Sequence, residues 1–359
     1  MTTTIRGLAL LALAASTTAL STGQAFAWGH TGHVGISTLA IQNLPSDLPA
    51  FVRGASPAQF IGELGAEADE SKTTGVLLNA TGTSTSRTVH DAERDNGHFI
   101  DLDDNGFALG GSVSISALPA TREAFDTAER AAMSPGGQDQ YTVGYLPYQM
   151  LDGFQQVRKD FGMWRAMQAG LATATTPSDV AYFRYQISVR QQLTLRDIGY
   201  WSHFVADGSQ PMHVSVHYNG WGNYPNPNGY TTAGIHSPFE GSFVRTFIDF
   251  TKLTIRPYMS RNTTTNEQRV PAYLLETLSA LVPVYDAELK SGHDGYKTNQ
   301  PLENAVVTQQ LALGAAELRD EIVDAWNQSL NVTVGFPLVR VDDAVAGRVK
   351  ITPATFGSD

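Results

Sequence analysis

A long helical pattern that opens at Thr176-Pro177-Ser178-Asp179 limits the fold of this chain more than any other feature. A hydroxyl cap, a proline in the first turn and an early acid are what the unpaired N–H groups and the positive end of a helix select. The pattern predicts a helix running to about Ala206, where Gly208 and Pro211 stop it and turn the chain. Other segments read the same way. Val34, Ile36, Leu39, Ala40 and Ile41 recur at three- and four-residue spacing over His33 to Leu44, ahead of Pro45. A second helix is expected from about Pro57, with Phe60, Ile61 and Leu64. Further helices are expected from Ser237 to about Leu253, from Tyr273 to Leu289 with a kink at Pro283, and from Leu302 to Leu330. Gly144 to Tyr148 reads as a helix start at Pro147. Strand signals are few: Val334 to Ile351 suits a small hairpin or a docked tail. Two stretches, Thr73 to Asn96 and His217 to Gly234, read as long loops. The fold class is therefore all-α, a multi-helix domain with long loops and a short C-terminal tail with some strand character.

Residues 1–27 have the anatomy of a secretory signal. Arg6 is their one charge, Leu8 to Ala15 form a short apolar core, and Ala25-Phe26-Ala27 is a cleavage pattern. The apolar run falls short of the roughly 20 residues that span a bilayer, so no stable membrane anchor is expected. Cleavage after Ala27 would place the mature protein outside the cytoplasm, secreted or periplasmic. It would also divide the chain into a signal (1–27), a helical domain (28–330) and a C-terminal tail (331–359). Loss of Arg6 takes the formal net charge from −11 to −12. An acidic chain does not bind nucleic acid through a broad basic groove.

The chain has no cysteine, which excludes disulfides and every thiolate metal site. A metal would have to be held by His, Asp, Glu and backbone groups, so the nine histidines become individually informative. His203 and Asp207 lie four residues apart and share one face of the predicted helix. The turn at Gly208 and Pro211 can return His213 over that face. His236 and Glu240 repeat the four-residue spacing, Gly97-His98-Phe99 supplies another imidazole, and Ala68-Asp69 a carboxylate. Trp28 follows the cleavage pattern directly, so processing would give it a free α-amino group with a basic lone pair. Imidazole nitrogen with carboxylate oxygen suits zinc better than magnesium or calcium. His30 reads as solvent-facing, and His90 and His293 as surface residues. Any one of these pairs alone is an ordinary surface or capping pair; the set is not.

In combination these blocks resemble the zinc-dependent phospholipase C family and the related single-strand-specific zinc nucleases of the S-one/P-one type. The resemblance rests on Trp28-Gly-x-x-Gly-His33, Ala68-Asp69, His98-Phe99, His203-x-x-x-Asp207, Gln210-Pro-x-His213 and His236-x-x-x-Glu240, and spans residues 28 to about 250. It implies a helical fold and three Zn²⁺ per chain. One would be held by Asp69, His98, His203 and a shared Asp207. A second would be held by the amine and carbonyl of Trp28 with His33 and Asp207, and the third by His213, His236 and Glu240. It further implies phosphate-ester hydrolysis by a metal-activated hydroxide, with Asp69 as the catalytic residue that orients the attacking water. Phe99, His217, Trp221 and Tyr224 are candidates for contact with substrate, His217 alternatively for a supporting or exposed position. The Trp-Gly-x-x-Gly-His block and the long interval between His213 and His236 lie nearer the nucleases. Glu240 as the last ligand and the Gln-Pro-Met-His block lie nearer the phospholipases C. The substrate is then a phospholipid head group or single-stranded nucleic acid, with a lean to the lipid, and no protein partner is implied. The alternative from another class is an exported protein that binds zinc without turnover.

Overall fold

The computed structural model describes residues 28–71, 75–79, 82–86, 94–109, 111, 113–132, 140–261 and 265–357. Residues 1–27, read above as a signal, and His90 lie outside the described residues. In chain order the helices α1 (Gly29–Gln42), α2 (Ala55–Leu64) and the short α3 (Glu67–Glu70) precede an antiparallel hairpin, β1 (Gly75–Asn79) and β2 (Gly82–Ser86). Then come α4 (Arg122–Ala132), α5 (Gln140–Val143), α6 (Leu146–Thr173), α7 (Pro177–Asp207) and α8 (Val244–Phe247). The chain continues through α9 (Asn266–Leu278), α10 (Leu281–Lys290), α11 (Pro301–Gln328), β3 (Thr333–Val334), β4 (Val339–Arg340) and α12 (Val341–Val345). The protein is mostly helical, as the periodicity predicts. No helix of the described residues is long and apolar enough to cross a membrane.

The α6–α7 pair is the spine. Thr176 caps α7 through its side chain, which accepts from the Asp179 N–H at 3.1 Å. Glycines on α6 let the two helices approach closely: a Cβ on Gly153 would strike the Trp201 ring, and one on Gly170 the Phe183 ring. The Trp201 indole N–H donates to the Met150 carbonyl at 2.9 Å and fixes the register. Helices α1, α2 and α11 pack on the same spine. Its C-terminal turns are therefore enclosed on all sides, and Trp201 through Asp207 are all buried.

Several expected elements differ. The loop expected over 73–96 contains the β1–β2 hairpin, with Gly75 opposite Ser86 and Asn79 opposite Gly82. The helix expected over 237–253 is broken into a wide turn (Pro238–Phe243), α8 and a 3₁₀ turn (Phe250–Lys252). Asp249 caps the 3₁₀ turn by accepting from the Thr251 N–H at 3.1 Å, which offers the backbone an alternative to another helical turn. The helix expected over 273–289 is two helices that break at Ser279-Ala280, so Pro283 sits in a first turn where its missing N–H is not needed. The tail forms a two-residue hairpin and then α12. It is docked on α6 and α7 by Val334 and Val341 against Ala166, and by Ala344 and Ile351 beside Met167 and Phe183.

A buried ion network, unanticipated in the sequence, ties the segment before α9 to α11. Glu317 accepts from Arg269 Nε at 2.8 Å, from Arg261 Nε at 2.8 Å and from Arg256 Nη2 at 3.1 Å. Asp320, Glu321 and Asp324 complete it around Arg269. On α9, Tyr273 donates its hydroxyl to the Val205 carbonyl near the end of α7, at 2.8 Å. Removing one member of such a network strands buried charge. Arg269→Ala is expected to destabilise the fold by about 3–5 kcal/mol, read as a lower midpoint in denaturant unfolding. A midpoint equal to that of the parent would contradict this role.

Candidate metal centre

The buried end of α7 presents two side chains that water cannot solvate, His203 and Asp207. Three other elements bring partners to them. From α1, His33 stacks on His203, with ring centroids 3.8 Å apart and planes within 13°, and its Nε2 lies 3.5 Å from Asp207 Oδ1. A hydroxyl pair between the same helices, Ser37 and Ser202 at 2.8 Å, holds that stack in register. From α3, Asp69 Oδ1 lies 3.7 Å from both His203 Nε2 and His98 Nδ1. From the 3₁₀ turn Asn96–His98, His98 Nδ1 lies 2.9 Å from His203 Nε2 and 3.2 Å from Asp207 Oδ2. Asp207 thus lies between two groups, one with His33 and His203, the other with Asp69, His98 and His203.

A third group forms where the chain turns after α7. His213, His236 and Glu240 are all buried. His213 Nε2 lies 3.1 Å from His236 Nε2, and Glu240 Oε2 lies 2.7 Å from His236 Nε2 and 3.8 Å from His213 Nε2. Gln210 donates to Glu240 Oε2 at 3.0 Å, while its own amide oxygen accepts from the Met212 N–H at 2.8 Å. Burial raises the Glu240 carboxyl above its ordinary range, and His236 and Gln210 oppose that rise.

Backbone carbonyls fix how these rings face. His203 Nδ1 donates to the Gly65 carbonyl (2.8 Å), His213 Nδ1 to the His98 carbonyl (2.7 Å) and His236 Nδ1 to the Tyr218 carbonyl (2.6 Å). A carbonyl only accepts, so each of these nitrogens carries the hydrogen, and in a neutral ring Nε2 is left as a lone pair. His213 and His236 therefore turn lone pairs toward each other and toward a carboxylate oxygen. Such a convergence of acceptors is repulsive unless a positive charge sits among them. In ordinary metal sites the outer nitrogen of a ligating imidazole makes this same bond to a carbonyl or carboxylate. Three candidate metal-binding groups result: His33 with His203 and Asp207; Asp69 with His98 and His203; His213 with His236 and Glu240. Their donor atoms are imidazole nitrogen and carboxylate oxygen, a set that fits zinc.

Trp28 is buried at the start of α1 and is bonded into this region. Its indole N–H donates to Ser209 Oγ at 2.8 Å, its ring lies 5.4 Å from that of Phe239, and Gly29 lies against the Glu240–Gly241 backbone. Its carbonyl accepts from the Gly32 N–H at 3.1 Å. Of the residues considered for substrate contact, Phe99 is half-buried and Tyr224 is exposed, whereas Trp221 and His217 are both buried. The Trp221 indole donates to the Pro225 carbonyl at 2.9 Å, and the His217 ring stacks on Trp221 at 3.9 Å. His30 is exposed beside Glu70, and His293 half-exposed beside Glu288.

Ser209, the Gly65 and Tyr218 carbonyls, and a rim beside Tyr224 of the exposed Tyr218 and Asp104 with the part-buried Asp101 were not singled out in the sequence. Burial pushes the Asp101 carboxyl up to about 7. Burial, and then the charges of Asp101, Tyr218 and Asp104, raise the Tyr224 phenol. The Gln-Pro-x-His block was the one signal that could have led to the Gln210–Glu240 bond.

No family model matches the chain, and no curated protein does. Among solved structures it is similar to alpha-toxin of Clostridium perfringens from an avian strain. The TM-score is 0.38 at 12% identity, over 86% of this chain and 68% of that one.

The geometry separates the carboxylates. Asp207→Asn should lower metal uptake by more than one equivalent, because its two oxygens face different groups, whereas Glu240→Gln should lower it by one. Metal analysis after dialysis distinguishes these outcomes, and equal losses would contradict the shared position of Asp207.

Proposed function

We propose that the mature chain, exported and cleaved before Trp28, is a zinc-dependent phosphodiesterase of the phospholipase C/nuclease type, acting on a phospholipid. The observation that carries this reading is the convergence of imidazole lone pairs and buried carboxylates at the end of α7, with the outer ring nitrogens committed to carbonyls. Asp69, His98, His203 and Asp207 would hold one ion. The Trp28 amine and carbonyl, His33 and Asp207 would hold another, and His213, His236 and Glu240 the third. When bound, zinc supplies Lewis acidity and lowers the pKa of a coordinated water from about 15.7 to about 7.

The chain's own residues supply the rest. Asp69, Asp207 and Glu240 contribute three negative charges against six on three Zn²⁺, so the loaded centre stays positive and attracts a phosphodiester although the chain as a whole carries −11. Enclosure by α1, α2, α6 and α11 lowers the local dielectric and strengthens every charge–charge interaction there. Asp69, the least enclosed of the ligand carboxylates, is the group suited to orient an attacking water.

The lean to lipid has a specific support. The rim beside His236 is acidic and aromatic, with the exposed Asp104, Tyr218 and Tyr224 and the part-buried Asp101, whose raised carboxyl adds only part of a charge. Carboxylates and tyrosine faces favour a cationic head group and repel the backbone of a polyanion. The processed, zinc-loaded protein is therefore expected to cleave phosphatidylcholine faster than single-stranded DNA, and a chelator to abolish both activities. Faster cleavage of DNA would favour the nuclease reading. Zinc binding without either activity would favour a non-catalytic protein. A protein that keeps one residue ahead of Trp28 should bind one zinc less tightly, and unchanged zinc titration would count against ligation by the amine.

A further inference from the structure

We propose that His217 is a positioning residue for the third metal group, one that sets the orientation of His236 without touching substrate; this rests on the zinc reading above. His217 is 1% exposed. Its Nδ1 donates to the Trp221 carbonyl at 2.9 Å, and its Nε2, which donates only when the ring carries a hydrogen on both nitrogens, lies 3.1 Å from Asp104 Oδ1. The ring is stacked on Trp221 with planes within 16°, and the edge of Tyr224 lies 4.8 Å from it. Its backbone is also committed: the N–H donates to Ser215 Oγ at 3.0 Å, and the carbonyl accepts from the buried Tyr285 hydroxyl at 2.7 Å. A side chain with both nitrogens occupied and almost no exposed surface is poorly placed to bind a ligand from solvent.

What it holds lies one and two residues further on. The Tyr218 carbonyl receives His236 Nδ1 at 2.6 Å, and Asn219 Oδ1 accepts from the His236 backbone N–H at 3.2 Å. Residues 218 and 219 are therefore the seat of His236, and their position depends on where residue 217 is pinned. The same short segment begins at His213, the partner of His236 in the group. Gly220 then turns through φ 92°, a conformation open to glycine, and the loop leaves for solvent. Without the His217 ring, the seat would be tied down from its N-terminal side by backbone contacts alone. Asp104, on the 101–109 loop, fixes the ring from the solvent edge. The acidic loop and the third group are thereby coupled through one imidazole.

The test is zinc titration of the cleaved protein, followed equivalent by equivalent with a chromophoric chelator as competitor. His217→Ala should weaken one equivalent by less than the about 10- to 100-fold that losing a direct outer-sphere partner costs, because the Tyr218 carbonyl remains, and leave the other two as in the parent. His217→Asn, whose amide nitrogen takes the place of Nδ1, should restore most of that affinity. In a Glu240→Gln background, His217→Ala should add no further loss, because both act on the same ion. Where His217→Ala does not fold, Asp104→Ala loosens the ring from outside and should show the same selective weakening in smaller degree. Zinc binding unchanged in both variants, or all equivalents weakened together, overturns the proposal. So does a fall in kcat with zinc binding intact, which would make His217 a catalytic group. A parent protein that binds no zinc would defeat the functional reading first, and that outcome is distinct from these.

Discussion

Everything around the candidate centre depends on one constraint: buried acceptors have been turned toward one another. Taking a carboxylate out of water is costly even when it is paired, and a lone pair facing another lone pair gains nothing in return. The chain nevertheless buries Asp207, Glu240 and the rings of His33, His203, His213 and His236, and it spends backbone carbonyls to keep three of the rings facing inward. A fold selected for stability alone would fill this space with apolar side chains. A cation among these groups would offset that repulsion, which suits the energetics of the α7 end to a ligand as well as to the core.

The remainder of the fold makes that end of α7 a fixed object. The Ser37–Ser202 pair sets α1, the Trp201 indole sets α6, and the Tyr273 hydroxyl ties α9 to the Val205 carbonyl. Tyr273 in turn rides on the helix that contributes Arg269 to the buried network on α11. A buried network of this kind contributes little net stability over an apolar replacement, but it tolerates few alternative pairings. Its use here is geometric: it fixes α9 against α11, and so fixes the brace on the turn that carries Asp207.

What the sequence disclosed follows from which interactions are local. The four-residue spacings of His203 with Asp207 and of His236 with Glu240 are properties of a helical turn, so they were readable. Which carboxylate meets which imidazole across elements depends on how α1, α3 and the 96–98 turn pack, and spacing carries no such information. The carbonyls of Gly65, His98 and Tyr218 have no side-chain signature at all. Helix α6 was visible only as a start at Pro147. Its interior glycines, each about 1 kcal/mol less favourable than alanine in a helix, look like interruptions but are points of close approach to Trp201 and Phe183. The acids of α11 at 317, 320, 321 and 324 have the spacing of a solvated face. Only the arginines arriving from residues 256–269 make that face an interior one.

The start of α1 is where energetics argue most directly for a purpose. The first turn of a helix ordinarily frays, because fixing each residue costs about 1–2 kcal/mol of backbone entropy. Burying an indole of about 150–250 Å² at about 25 cal/mol per Å² offsets several residues' worth of that cost. Trp28 is fully buried, hydrogen-bonded to Ser209 two residues beyond Asp207, and followed by a glycine pressed on the Glu240 backbone. A small or polar residue in its place would leave the first turn of α1 free to lift away and take His33 with it. The indole is thus best understood as an anchor for the backbone that carries it. A large aromatic residue at this position serves the need to hold the start of α1 still beside buried imidazoles and carboxylates, whatever the ring itself contributes to chemistry.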